Sequence, residues 1–333
     1  MRVRRVGGRR EEADVGSEAN TRTYRRIIHA LNRSQPKGKG RPDPLTLAVF
    51  GMLVVLIGAN LVAIRFTDRE LPPFWGAGVR FAVAAVLFAA MALVRRAPLP
   101  RGSALVGALL YGLIGIAAFF AFTYWGLVHV HAAVGAIMFS LTPLLTLFLA
   151  VAVGLERFRW RVLAGGTIAA LGVAVVFGEQ MGANVPMRSL LSLLAAASCG
   201  AGLNIIVKRF PPTNPVATNA VAMTVGAVAL LSVSALSGEP RPAPAHGATW
   251  AALIYLITLG TVAVFLLLLF LLKHWMATSV AYQFVLTPFV AAGLGAWLEN
   301  ESVAPIAAVG AALVLVGVCV GALAPEDAPR PSG

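Results

Sequence analysis

Long apolar runs separated by short polar segments dominate the chain from about residue 45 onwards. A helix needs about 20 apolar residues to cross the hydrocarbon core of a bilayer, which is about 30 Å thick. Ten runs have approximately that length, and we number them spans one to ten. They lie at 45–66, 73–94, 104–126, 131–153, 161–178, 189–207, 215–236, 250–272, 277–298 and 304–323. The pattern predicts an all-α integral membrane protein with ten transmembrane helices.

The composition agrees with this prediction. Hydrophobic residues make up 58% of the chain and charged residues 12%, against about 45–50% and about 25% in soluble domains. The segments between the spans are too short for a folded soluble domain. Because the first apolar run begins near Leu45 and nine more follow it, we expect span one to be retained rather than cleaved as a signal peptide.

The sequence contains an internal duplication. Gly58-Ala-Asn-Leu-Val-Ala-Ile-Arg-Phe66 returns 144 residues later as Gly202-Leu-Asn-Ile-Ile-Val-Lys-Arg-Phe210. Further pairs match at an offset of 145 residues: Gly115 with Gly260, His129 with His274, Leu141-Thr142-Pro143 with Leu286-Thr287-Pro288, Glu156 with Glu301, Gly165 with Gly310, and Gly172-Val173 with Gly317-Val318. We expect two repeats at 45–178 and 187–323, flanked by a disordered basic tail at 1–44 and a short tail at 324–333.

The two repeats are expected to be inverted. Five spans is an odd number, so the second repeat enters the membrane from the side opposite to the first. The loop at Glu156 carries Arg157, Arg159 and Arg161, whereas the loop at Glu301 has no basic residue, as the positive-inside rule requires of an external loop. Inverted repeats are typical of transporters that work by alternating access, with the substrate near the midplane.

The net charge of +13 is distributed unevenly. Met1 to Asp43 holds 12 of the 27 Lys and Arg residues. Nine more follow spans two, four, six and eight, and only four lie in the opposite loops. This bias predicts that both termini are cytoplasmic, in the plasma or inner membrane, with the tail near anionic lipid head groups. Nucleic-acid binding is not expected, because no recognisable fold accompanies the charge. The oligomeric state stays open, with a homodimer as one alternative.

Several motifs resemble those of a known family. They are the Gly-x-Asn near the end of span one, Arg80-Phe81 in span two, Leu-Thr-Pro in spans four and nine, and Glu followed sixteen residues later by Gly-Val in spans five and ten. In order, spacing and duplication, the chain resembles the ten-helix EamA-type branch of the drug/metabolite transporter superfamily over about 45–323. The resemblance implies a secondary carrier, often an exporter of small metabolites, amino acids or drugs, with a cavity lined by spans one, three, four, six, eight and nine. The chain departs from the pattern in its long basic tail and in lacking an Arg in span seven opposite Arg80.

Arg80 is the first candidate for a substrate site. It lies about 10 Å below the external surface, since a helix rises by about 1.5 Å per residue, and no span holds an acidic residue at a comparable depth. An intramembrane Arg without a carboxylate is by default a functional candidate, here for an anionic substrate group. Snorkelling to head groups and bonding to backbone carbonyls are the alternatives.

The other candidates are polar, aromatic or Pro residues within spans. Asn60 and Asn204, in the outer and inner thirds, are expected to act as gates or as hydrogen bonds between helices. Pro143 and Pro288 are expected to interrupt spans four and nine and to free a carbonyl near the binding region, with a purely structural kink as the alternative. Some of a further set should line the cavity, although packing is the alternative for each: Tyr111, Tyr124, Trp125, Tyr255, Tyr282 and Gln283.

Metal and enzymatic chemistry are not expected. His129 and His131 are two residues apart, a spacing that directs helical side chains to different faces. Glu156, Glu299 and Glu301 lie at helix ends and are interpreted as caps of the following helix. The chain has no phosphate-binding loop, no His-Glu-x-x-His motif and no pair of intramembrane carboxylates, so we expect no cofactor and no catalytic residue.

The sequence therefore favours a secondary transporter of a small organic molecule, working by alternating access and exporting its substrate. A membrane scaffold or lipid-interacting protein whose tail binds a partner is the alternative. Proton-driven carriers usually use buried Asp, Glu or His residues, and every carboxylate here lies in a tail, a loop or a span end. Facilitated or exchange transport is thus favoured over proton antiport.

Overall fold

The computed structural model describes residues 43–127, 132–177, 186–299 and 305–322, and these residues form helices and short connections without a strand. Five helical spans make up the first half. Span one is Pro44–Thr67, span two is Pro73–Val94, span three runs from Ser103 to Leu127, span four comprises Ala132–Phe139 and Thr142–Ala152, and span five is Trp160–Phe177.

Five equivalent helical spans make up the second half. Span six is Met187–Arg209, span seven is Pro215–Leu236, span eight runs from Gly247 to His274, span nine comprises Ala277–Ala281 and Gln283–Glu299, and span ten is Pro305–Gly321. Within the described ranges seven helices are long and apolar enough to cross a membrane, and three shorter apolar helices, in spans five, nine and ten, complete the set. The prediction of an all-α membrane protein with ten transmembrane helices is confirmed.

The packing of the spans follows the duplication. When the two repeats are aligned, span one corresponds to span six, two to seven, three to eight, four to nine and five to ten. Span two packs along seven and span five along ten, so each of these pairs maps onto itself. Span one packs on spans eight and nine, just as span six packs on spans three and four. The observed contacts therefore have the pseudo-two-fold arrangement expected of inverted repeats.

Glycines allow the backbones of spans five and ten to approach closely. A Cβ on Gly317 would lie 2.6 Å from the Ala169 nitrogen and from the Gly165 oxygen, and a Cβ on Gly172 would lie 2.8 Å from the Gly310 oxygen. Small residues at such contacts are the usual means of helix association in lipid, where the hydrophobic effect does not drive helices together.

Carboxylates cap several helices, two of them across the two halves of the chain. Glu156 accepts hydrogen bonds from the Ala277 N–H at 2.8 Å and from the Thr278 hydroxyl at 2.7 Å. It thus caps span nine, whereas the sequence suggested the following helix, span five. Glu239 caps span two through the N–H groups of Phe74 and Trp75. Each cap satisfies N–H groups that have no partner within their own helix. Glu301 lies outside the described residues, as does the side chain of Glu299.

Both Leu-Thr-Pro spans are broken, but not at their prolines. Span four breaks at Ser140 and Leu141, and Pro143 lies in the first turn of the helix that resumes at Thr142, where a missing N–H has no cost. Span nine breaks at Tyr282, and the helix continues through Pro288. The prediction that Pro143 and Pro288 interrupt their spans is therefore wrong in position, since each break precedes its proline.

Candidate functional site

Spans three and eight each contain a π-helical segment, at equivalent places in the two repeats. The segments are Tyr111–Ala118 and Thr258–Ala263, and the duplicated Gly115 and Gly260 lie within them. π-helical turns are frequent at functional sites. In span eight the carbonyl oxygen of Gly260 accepts hydrogen bonds from two side chains of other spans.

Arg80 is one of these two donors. Its side chain is only 4% exposed, and its Nη2 donates to the Gly260 oxygen at 3.1 Å while its Nε donates to the Thr261 hydroxyl at 2.7 Å. The Thr261 hydroxyl donates in turn to the Leu256 oxygen at 2.8 Å. Arg80 thus bonds to the backbone of span eight, which was one of the alternatives left open by the sequence.

Asn60 is the second donor to the Gly260 carbonyl. Its Nδ2 lies 2.9 Å from the Gly260 oxygen. Only a glycine permits this approach, because a Cβ at position 260 would lie 2.1 Å from the Asn60 Oδ1. Spans one, two and eight therefore meet at one carbonyl, and the structure brings Asn60 and Arg80 together.

The guanidinium of Arg80 has no carboxylate partner among the described residues. Its carbon lies 5.0 Å from the centre of the Phe81 ring and 5.6 Å from the centre of the Phe120 ring. An arginine over an aromatic face is stabilised by the ring quadrupole, most strongly where water is excluded. The positive charge is thus buried among carbonyl, hydroxyl and aromatic groups, and is not neutralised by a charge of opposite sign.

Phenylalanines continue from Arg80 towards spans four and nine. Phe119 lies 5.7 Å from Phe139 and 5.9 Å from Phe284, measured between ring centres. We call the following six residues the aromatic cluster: Phe81, Phe119, Phe120, Phe139, Phe265 and Phe284. Phe81 and Phe265 are buried, whereas the other four are half-buried.

The sequence interpretation missed this cluster. Phe120 and Phe265 are 145 residues apart, as are Phe139 and Phe284, so both pairs follow the offset of the second repeat block. The signal was present in the duplication, but 17 phenylalanines are spread over the chain and an apolar residue in an apolar span is inconspicuous. Thr261 was also missed, because its importance comes from a tertiary contact with Arg80.

Three tyrosine candidates have hydroxyl groups that bond to other spans rather than to Arg80. The Tyr111 hydroxyl donates to Asn219 Oδ1 at 3.2 Å, the Tyr255 hydroxyl to the Leu56 oxygen at 3.0 Å, and the Tyr282 hydroxyl to the Val162 oxygen at 3.2 Å. These bonds join neighbouring spans.

Gln283 and Asn204 differ from the tyrosines. The Gln283 Oε1 is buried without a partner among the described residues. Asn204 is 0% exposed, and neither atom of its amide has a partner there. Although Asn204 is the repeat mate of Asn60, it makes no equivalent bond.

No group of three metal-ligating side chains occurs within the described parts of the chain. His129 and His131 lie outside those parts. Trp125 is 46% exposed near the end of span three, where an interfacial tryptophan is expected.

Comparisons with known proteins agree with the geometry. The EamA-like transporter family matches residues 45–178 and again 187–322. The chain is 27% identical to an uncharacterized inner membrane transporter, YedA, of Escherichia coli K12 over 79% of this chain and 85% of the relative. It is also 27% identical to a probable amino-acid metabolite efflux pump of the same strain, over 82% and 93% of the two chains.

Two further comparisons extend the picture. A probable terminal-alkyne amino-acid exporter of Streptantibioticus cattleyicolor is 27% identical over 72% of this chain and 80% of its own length. A crystal structure of a protein superposes with a TM-score of 0.71 at 19% identity, over 84% of this chain and 96% of the other, which shows a shared fold. The chain belongs to the EamA-like transporter family of the drug/metabolite transporter superfamily and is a membrane transporter.

Proposed function

We propose that this transporter exports a small organic metabolite that carries a carboxylate, with an amino acid as the preferred class, and that it works by alternating access. The observation that carries the proposal is the buried guanidinium of Arg80, which has no acidic partner among the described residues. Two relatives are named as handling amino acids or their metabolites, which supports the same class.

The described contacts of Arg80 use only part of its hydrogen-bonding capacity. A guanidinium has five N–H donors, and the described contacts use one on Nε and one on Nη2. The remaining donors can bind a carboxylate in the two-pronged geometry that arginine favours. The half-buried rings of Phe119 and Phe120 lie close by and offer apolar surface to the rest of the substrate. Asn60 and Thr261 hold the guanidinium site in place through span eight.

The orientation and the organisation of the chain complete the proposal. The nine-to-four bias of basic residues supports cytoplasmic termini, and the basic tail at 1–44 would then face anionic head groups. Two observations support inverted repeats at 45–178 and 187–323. The family model matches twice, and the contacts between spans are unchanged when the two repeats are exchanged. A substrate site near the pseudo-two-fold axis is the arrangement expected for such repeats, and the aromatic cluster, with its two duplicated pairs, fits that position.

The test is transport into and out of proteoliposomes with a panel of labelled amino acids, related carboxylates and their amides. Wild type should prefer a carboxylate over the matching amide. Arg80→Ala should raise the KM for the carboxylate by about 10- to 100-fold, as loss of a hydrogen bond to a charged group implies, and should abolish that preference. Arg80→Lys should rescue only in part, because an ammonium lacks the planar fork.

Arg95→Ala is the matched control, because Arg95 is exposed just after span two. It should transport like wild type. Each variant is first shown to be monodisperse after purification, so that misfolding is excluded. Unchanged carboxylate preference in a well-folded Arg80→Ala variant would refute the role of Arg80, and an absence of any amino-acid or carboxylate transport by wild type would refute the substrate class.

A further inference from the structure

Two asparagines lie at equivalent places in the two repeats but have different environments. Asn60 donates to the Gly260 oxygen at 2.9 Å. Asn204 is completely buried, and neither its Oδ1 nor its Nδ2 has a partner among the described residues. A buried amide without a partner is unfavourable, so its presence in one half alone requires an explanation.

The pseudo-symmetry identifies the partner that Asn204 lacks. Gly260 is the mate of Gly115, and span eight packs on span one as span three packs on span six. The equivalent acceptor for Asn204 is therefore the Gly115 oxygen, in the π-helical segment of span three.

A different residue occupies that place in the structure. A Cβ on Gly260 would meet the Asn60 amide, whereas a Cβ on Gly115 would lie 2.6 Å from the side chain of Leu203. Leu203 immediately precedes Asn204 and aligns with Ala59 of the first repeat. Span six thus sits on span three one residue out of register from the way span one sits on span eight. One residue corresponds to a rotation of about 100° about the helix axis together with a translation of about 1.5 Å along it.

We propose that Asn60–Gly260 and Asn204–Gly115 are two latches that close alternately during transport. In the present structure the Asn60 latch is closed and the Asn204 latch is open. In the exchanged state a one-residue shift of span six places Asn204 Nδ2 on the Gly115 oxygen, while span one makes the opposite shift and releases Asn60. The inference rests on the alternating access of the proposed function, and not on the identity of the substrate.

Alternate closure gives the protein two states of similar free energy. Each state contains one closed latch and one buried amide without a partner, so neither is favoured by this pair of contacts. Packed helices that shift and rotate between two discrete packings are a known way to build such bistable switches. The glycines are essential to both states, because the π-helical carbonyl is reached only where no side chain covers it.

The test is hydrogen–deuterium exchange of the protein in nanodiscs, without substrate, followed by mass spectrometry. Asn204→Ala removes an amide that is unpartnered in this state, and so favours this state. Exchange in Thr258–Ala263, which holds the acceptor of the Asn60 latch, should slow by about tenfold, the factor that one buried hydrogen bond implies in an equilibrium. Asn60→Ala should have the opposite effect in that segment and should protect Tyr111–Ala118.

The double variant Asn60→Ala/Asn204→Ala separates a latch from a packing contact. With latches, the two effects oppose each other and the exchange rates return towards wild type. With packing contacts, the losses add and both segments exchange faster than in either single variant. Asn219→Ala is the matched control, since Asn219 is a buried amide bonded to Tyr111 and should loosen its surroundings without reciprocal changes.

The thermal midpoint provides a second readout. Asn204→Ala should leave it unchanged or raise it, whereas removal of a structural contact would lower it. Faster exchange confined to the neighbourhood of Asn204, or a lowered midpoint in Asn204→Ala, would overturn the proposal. Because neither measurement uses a substrate, these outcomes are independent of whether the proposed substrate class is correct.

Discussion

Replacement of Gly260 by Ala tests the point where spans one, two and eight meet. The added Cβ would lie 2.1 Å from the Asn60 Oδ1, so the amide must leave the Gly260 carbonyl. The loss of that hydrogen bond costs about 1 kcal/mol, and the buried amide left without a partner costs about 1–3 kcal/mol more. Alanine returns about 1 kcal/mol through its better helix propensity. We therefore expect a net destabilisation of about 1–3 kcal/mol.

The assay is the thermal midpoint of the purified protein, compared with that of Gly51→Ala. Gly51 lies in span one with nothing within 4 Å of a Cβ, so this control reports the propensity term alone. Gly260→Ala should melt below Gly51→Ala, and adding Asn60→Ala should restore part of the loss because it removes the clash. A Gly260→Ala variant as stable as the control would refute the close approach.

Three further predictions concern the ends and the packing of the spans. Hydrogen bonds from the Thr249 hydroxyl, the Ala245 N–H and His246 lower the pKa of the Glu70 carboxyl from 4.5 to about 2. The Glu70 carboxylate therefore contributes its full stabilisation above about pH 4.5, and this contribution is lost as the pH falls through about 2. The thermal midpoint of Glu70→Gln should lie below that of wild type at pH 5, and the difference between the two should be smaller at pH 3. A deficit independent of pH would contradict this. Gly317→Val should cost about 1–3 kcal/mol through overpacking, measured against Gly51→Val, and equal midpoints would exclude the close approach of spans five and ten. A reporter active only inside, fused to Gly333, and one active only outside, in the loop near Pro242, should both give signal; silence from either would contradict cytoplasmic termini.

The positions of the helices could be predicted because lipid imposes a simple rule. Every backbone polar group must be satisfied within the membrane, so a run of about 20 apolar residues is necessarily a helix. The predicted and observed limits agree within a few residues, for example 73–94 for span two and 215–236 for span seven. Proline in the first turn, after Asp43 and Asn214, marks starts that the sequence also shows.

The breaks and the caps were harder to predict. Pro143 and Pro288 suggested interruptions at their own positions, yet each break lies earlier in the chain. A proline is compatible with both a first turn and a helix interior in a membrane, and the neighbouring spans determine which occurs. Glu156 was expected to cap the next helix and instead caps span nine, since a carboxylate binds whichever free N–H groups the fold brings to it.

The sequence by itself determined the number of spans, the duplication and the candidate residues Arg80, Asn60 and Asn204, because all of these depend on local composition or on direct repetition. Only the tertiary structure decided what those residues contact. The bonds of Arg80 and Asn60 to Gly260 join residues about 180 and 200 positions apart, and the different state of Asn204 comes from a one-residue register between spans. The Gly-x-Asn that both segments share does not reveal this difference, because it arises from how each helix packs against its neighbours.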